Sequence, residues 1–201
     1  MDSALKLRML VDSGEVVADP SSFLSESELI KKFADLENLT TLGKIFALIG
    51  VAEIPFSYEL KFVQELVTFI NENVATESGF SITGKKEGIV PCYNAMLLEA
   101  YIRLGLGATK QAKSALKWIT TYQVFERNQK IVWQYDGICK YGGCMKNVPC
   151  YIGIGKSVRA FLTYKEKVTD DNLVVNDLIQ QGLAYMLKHK MFKRLSSNQY
   201  N

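Results

Sequence analysis

The run PCYNAMLLEAYIRLGLG, residues 91–107, opens with Pro91-Cys92-Tyr93, and the same tripeptide returns as Pro149-Cys150-Tyr151 at the head of PCYIGIGKSVRAFL, residues 149–162. Each copy starts an apolar segment with helical spacing, through Leu97, Tyr101 and Leu104 in the first and Val158, Phe161 and Leu162 in the second. Proline is tolerated there because the amide it lacks is one that a first helical turn leaves unpaired. After each copy come a polar turn and a more amphipathic helix, centred on Ala115-Trp118-Ile119 and on Leu183-Met186-Leu187. An earlier unit, Leu39 to Val51 followed by Tyr58 to Val74, keeps this order without the tripeptide. The repetition predicts three helical hairpins, over residues 39–74, 91–122 and 149–191, within one all-α domain spanning 1–201 with residues 1–24 as an N-terminal extension.

In each hairpin the first helix reads as nearly apolar all round. The second has a polar face, as in Lys61, Gln64, Glu65 and Thr68 or in Lys110, Lys113 and Lys117. All-round apolarity implies burial on both sides, and one polar face implies solvent on one side. The expected architecture is therefore two layers, with first helices side by side inside and second helices returning outside, as a solenoid or a partial α/α-toroid-like ring. Pro20, Pro55, Pro91 and Pro149 punctuate the helices, and Gly50, Gly105 and Gly107 mark stops. Helix starts are expected at Ser25 or Ser27, Ser57, Thr109, and Asp170 or Asp171, whose oxygens can accept from unpaired backbone amides.

Composition narrows the functional classes. Twenty-four Lys and Arg against 21 Asp and Glu give a net charge of +3, too little for a nucleic-acid footprint. The most apolar window, Ile45 to Phe56, is interrupted by Glu53 and Pro55 and falls short of the roughly 20 residues that span a bilayer, so no integral membrane association is expected. Met1 to Glu15 lacks the apolar run of a secretory signal, which predicts a cytoplasmic protein with reduced thiols. With His189 as the single histidine, multi-histidine metal sites are excluded.

The stretch from Cys144 through Pro149-Cys150-Tyr151, Gly153 and Lys156 resembles a pattern found in uncharacterised bacterial and archaeal proteins of the prenyltransferase and squalene-oxidase repeat group. The ending Met186 to Arg194 is similar to the close of that group, and Pro91-Cys92 with Tyr101-Ile102-Arg103-Leu104-Gly105 resembles its preceding repeat; the likeness runs from Leu39 to Arg194. Ala115, Trp118, Ile119, Gln123 and the later Trp133 resemble a degenerate cyclase QW motif, with longer spacing and no glycine just before the tryptophan. The resemblance implies the α/α-toroid fold of terpenoid cyclases, with Gln123 and a tryptophan tying neighbouring repeats together. Core packing is the competing role for Trp118 and Trp133.

The chemistry of that group is not carried by the residues. No Asp-x-Asp-Asp acid motif occurs, and Asp170-Asp171 is not completed by Asn172 or Val174 into a diphosphate site. Val148 stands where the resemblance would place a zinc-binding Asp. Asp136, Cys139, Cys144 and Cys150 still form a candidate zinc set, with Cys92 as an alternative fourth ligand, against the reading of cysteine as a small buried hydrophobe. A loop disulfide, Cys144–Cys150 or Cys139–Cys144, is a further option. Cys92 and Cys150 open neighbouring helices expected about 8 to 10 Å apart, beyond the reach of a disulfide.

Lys156 lies in an apolar inner helix, where it is expected to hold an anionic ligand head or act as a base, or else to snorkel or pair with Glu99; Arg159 shares that choice. His189 with Lys188, Lys190, Lys193 and Arg194 ends a helix, a position that favours cations. Three functions follow as expectations. The first is a non-catalytic toroid binding a hydrophobic, isoprenoid-like small molecule, with Tyr93, Tyr101, Tyr151, Lys156 and Glu99 at the cavity mouth. The second is a scaffold whose open flank is covered by a homodimer or partner chain. The third is a cysteine- or metal-dependent enzyme acting on a prenyl-type substrate, with Cys92, Cys139 or Cys150 reactive.

Overall fold

Among the described residues nine α-helices and no β-strand form the chain: α1 (Ser3–Asp12), α2 (Pro20–Ser25), α3 (Glu28–Ala34), α4 (Thr41–Val51), α5 (Lys61–Asn73), α6 (Pro91–Arg103), α7 (Lys110–Tyr122), α8 (Tyr151–Lys167) and α9 (Leu173–Lys188). The computed structural model describes residues 1–126, 129, 131–135, 150–168 and 172–191. No helix among them is long and apolar enough to cross a membrane.

Consecutive helices α4–α5, α6–α7 and α8–α9 pack as pairs, and the first members of the pairs are neighbours: α4 lies against α6, and α6 against α8 in the most extensive helix contact of the molecule. The last residues of α4, α6 and α8 gather around one cavity, lined by Ala52, Leu104 and Lys167, so the three helices run the same way. Helix α1 packs on both α2 and α3, and α3 covers part of α4.

Local chemistry accounts for most helix ends. Ser27 and Thr109 cap α3 and α7 by accepting from Ile30 N and Ala112 N. The cap of α9 is Asn172, which accepts from Val175 N; Asp170 and Asp171 lie outside the described residues. Ser57 does not cap a helix. It begins a short 3-10 turn, and α5 starts after Leu60 with no side-chain cap. Gly105, at φ +77°, closes α6 in a left-handed conformation with Leu106 N bonded to Tyr101 O at 2.7 Å. Gly50 does not stop its helix; it sits inside α4, where an added Cβ would lie 2.7 Å from the Phe33 ring, so its small size lets α3 approach.

Burial separates the three first helices. In α6 Ala95, Leu97, Leu98, Tyr101 and Ile102 are buried together with the polar Asn94 and Glu99. The Asn94 amide accepts from Phe80 N at 2.8 Å and donates to Ala115 O at 3.4 Å, which satisfies a buried polar group and ties α6 to α7. Helices α4 and α8 bury one side through Ile45, Leu48 and Val51 and through Ile154, Val158 and Phe161. Their other sides keep Leu42, Phe46, Ile152 and Leu162 exposed. All-round burial thus holds for the middle helix alone.

Candidate functional site

An apolar run that contains a lone carboxylate must pair it, because an unpaired buried charge is strongly disfavoured. Glu53, just past α4, does so three times over. One carboxylate oxygen accepts from Arg8 Nη1 of α1 at 2.9 Å and lies 3.9 Å from Arg103 Nη1 of α6, while the other accepts from Arg159 Nη2 of α8. Glu99, 5% exposed, accepts from Arg103 Nε one turn on at 2.8 Å, from Arg159 Nε at 2.9 Å and from the Thr163 hydroxyl at 3.5 Å. Two glutamates and three arginines from four parts of the chain therefore share one cluster. Such a network fixes how helices meet more than it adds stability, since the attraction is offset by lost hydration. With both carboxylates engaged by guanidinium groups, the arrangement holds helices rather than moving protons.

The cluster is one wall of a cavity of about 320 Å³ beneath the last turns of α4, α6 and α8, with Arg8 and Asp12 of α1, Phe56, Ser57 and Tyr58 of the turn, and Lys167 completing it. Above the cluster the exposed side of α4 repeats as Leu42, Phe46 and Ile49, and that of α8 as Ile152, Lys156 and Arg159. Half-buried Tyr93 and Met96 of α6 lie between, and Tyr93 meets Phe46 edge to face with centroids 6.0 Å apart.

The residues singled out from sequence scatter over these places. Tyr93 and Lys156 join the open face of the first helices. Glu99 joins the ion cluster, where its partners are Arg103 and Arg159 rather than Lys156. Tyr101 lies in the core, 1% exposed, donating to Asn71 Oδ1 at 2.8 Å. Burial, aided by Tyr58, pushes its hydroxyl pKa far up, so it stays protonated at neutral pH. Tyr151 begins α8 and donates to Met191 O, its pKa raised by burial and then by Tyr185. His189 is buried at the end of α9, against the rings of Tyr185 and Tyr151 at 4.6 and 5.8 Å.

Of the candidate zinc set, Cys150 is the N-cap of α8 and half-buried, and Asp136, Cys139 and Cys144 lie outside the described residues. Among the described residues no three His, Cys, Asp or Glu groups come together in a way that could hold a metal. Gln123, after α7, accepts from Ser157 of α8 at 3.2 Å and so links one hairpin to the next. Trp118 and Trp133 pack with centroids 5.7 Å apart.

Sequence reasoning passed over Arg8, Arg103 and the role of Glu53. The signal for Glu53 was its isolation among Ile45–Phe56; nothing local marks Arg8, 45 residues away. No family model, curated protein or solved structure matches the chain.

Proposed function

We propose that the protein is a self-associating helical module that covers the open face of its first helices with the same face of a second copy. The observation that carries this reading is the exposure of large apolar side chains on the outer sides of two first helices, Leu42 at 40% and Phe46 at 48% on successive turns of α4, and Ile152 at 64% and Leu162 at 47% at the two ends of α8's outer side, flanking an otherwise enclosed α6. Apolar side chains of this size left in water are costly unless a partner covers them, and the Lys156 and Arg159 between Ile152 and Leu162 set a polar line across the face. A two-fold pairing lays the α4 stripe of one copy on the α8 stripe of the other, which satisfies both at once.

A face about 25 Å long, the length of α8, and about two helix spacings wide offers several hundred Å² per copy, the scale of a small to standard interface. A hydrophobic molecule lodged between the first helices needs free volume, and their buried Leu97, Leu98, Ile154 and Phe161 have almost no accessible surface. That favours association over an internal ligand.

Light scattering over a wide concentration series tests the reading. The wild type is expected to show a concentration-dependent dimer, and Phe46→Asp with Ile152→Asp a monomer with unchanged helicity. A wild type that remains monomeric at the highest concentration would overturn it.

A further inference from the structure

We propose that the cavity beneath the last turns of α4, α6 and α8 binds a small organic acid, its anionic head on Arg8, Arg103 and Lys167 and its apolar body on Phe56 and Tyr58. The volume, about 320 Å³, is at the lower end of the range that holds small ligands.

The hydrogen-bonding inventory sets the ligand's polarity. Of the five guanidinium N–H groups of Arg8, the Asp12 and Glu53 carboxylates take two, at 3.4 and 2.9 Å. Arg103 gives its Nε–H to Glu99 and makes one long contact with Glu53. Among the described residues Lys167 pairs with its exposed neighbour Glu166 alone, at 3.2 Å. Glu53 is taken by three arginines and Asp12 accepts from Arg8, so most of the unused capacity lies with the donors. Three cations against Asp12 and Glu53 leave the lining net positive, which turns away a cationic ligand.

Helix C-termini repel anions, and three of them end here. At two of these ends backbone amides already take up carbonyls of the final turn: Gly50 O and Val51 O accept from Glu53 N and Ile54 N, and Tyr101 O and Ile102 O from Leu106 N and Gly105 N.

Two further observations point the same way. Ser57, on the cavity wall and 1% exposed, has a hydroxyl with no hydrogen-bond partner among the described residues, an uncommon state for a buried polar group. Phe56 holds φ +63°, a left-handed conformation that a residue with a bulky side chain rarely adopts, with its ring half exposed on the cavity.

Titration calorimetry of the full chain with phenylacetate, phenyl phosphate and the uncharged phenylacetamide tests the proposal. Saturable binding of at least one anion is expected, with no binding of the amide, and the tighter anion identifies the head group as carboxylate or phosphate. Lys167→Gln and Ser57→Ala should each weaken it by about fivefold to tenfold, while Lys165→Gln should leave it unchanged. The monomeric Phe46→Asp with Ile152→Asp variant should bind as the wild type does, so the outcome is independent of self-association. The proposal is overturned if neither anion saturates, if the amide binds equally well, if acetate and inorganic phosphate bind as tightly as the aromatic acids, or if neither cavity variant weakens binding.

Discussion

Helices α6 and α8 begin with the same tripeptide and end in different surroundings. In α6 proline is the first helical residue; in α8 the cysteine is the cap and Tyr151 is the first helical residue, so the second copy starts two positions later relative to its tripeptide. Helix α6 has α4 on one side, α8 on the other and α7 outside, and even its Asn94 and Glu99 are buried and bonded. Helix α8 packs mainly on α6 and α9, and its remaining side carries Ile152, Lys156, Arg159 and Leu162. The lesson is that apolar content sets how much a helix is able to bury, while its neighbours decide which side it buries.

The sharpest break in that comparison runs between two adjacent residues. Phe161 is 0% exposed and Leu162 is 47% exposed. Phe161→Ala should cost about 3–5 kcal/mol, and Leu162→Ala less than about 0.5 kcal/mol, both read from urea denaturation. Equal losses would mean that the open side of α8 is covered within a single chain.

The ion cluster comes next in size. Glu99→Ala removes the buried one of the two carboxylates that Arg103 and Arg159 share and should cost about 3 kcal/mol, toward the low end for a broken buried pair because Glu53 remains and Arg159 still reaches water. A loss confined to a few tenths would mean that α6 and α8 are held by their apolar contact alone.

The smallest effect belongs to the brace on the α4 side. Asp2 caps α1 by accepting from Ala4 N and reaches α3 through the Ser27 hydroxyl and Leu29 N. The Ser27 bond above all, with those amides, holds its carboxyl pKa below the usual value. A depressed pKa contributes stability above the ordinary carboxylate range and loses it as pH falls through the folded value. The difference in melting temperature between wild type and Asp2→Asn should therefore be present at neutral pH and shrink below about pH 4.

Helices were legible in the sequence because each carries its own record, in apolar spacing and in caps such as Ser27 and Thr109. Misreadings fell where a residue's role depends on distant chain. Ser57 has the composition of a cap but sits against a cavity, and Gly50 has that of a stop but admits the Phe33 ring. Glu99 was marked by lying in an apolar helix, yet its partner on α8 was open between Lys156 and Arg159, since both lie on one helical face. The 320 Å³ cavity left no trace of its own, because it is made of helix ends that are far apart in the chain.

Arg159 and Glu53 meet across 106 residues of chain. Closing so long a loop is entropically slow, and the contact rewards it only after α5 and the α6–α7 hairpin between them have docked. The charge cluster therefore acts as a latch on the finished molecule: substituting Arg159 should speed unfolding and leave the refolding rate nearly unchanged.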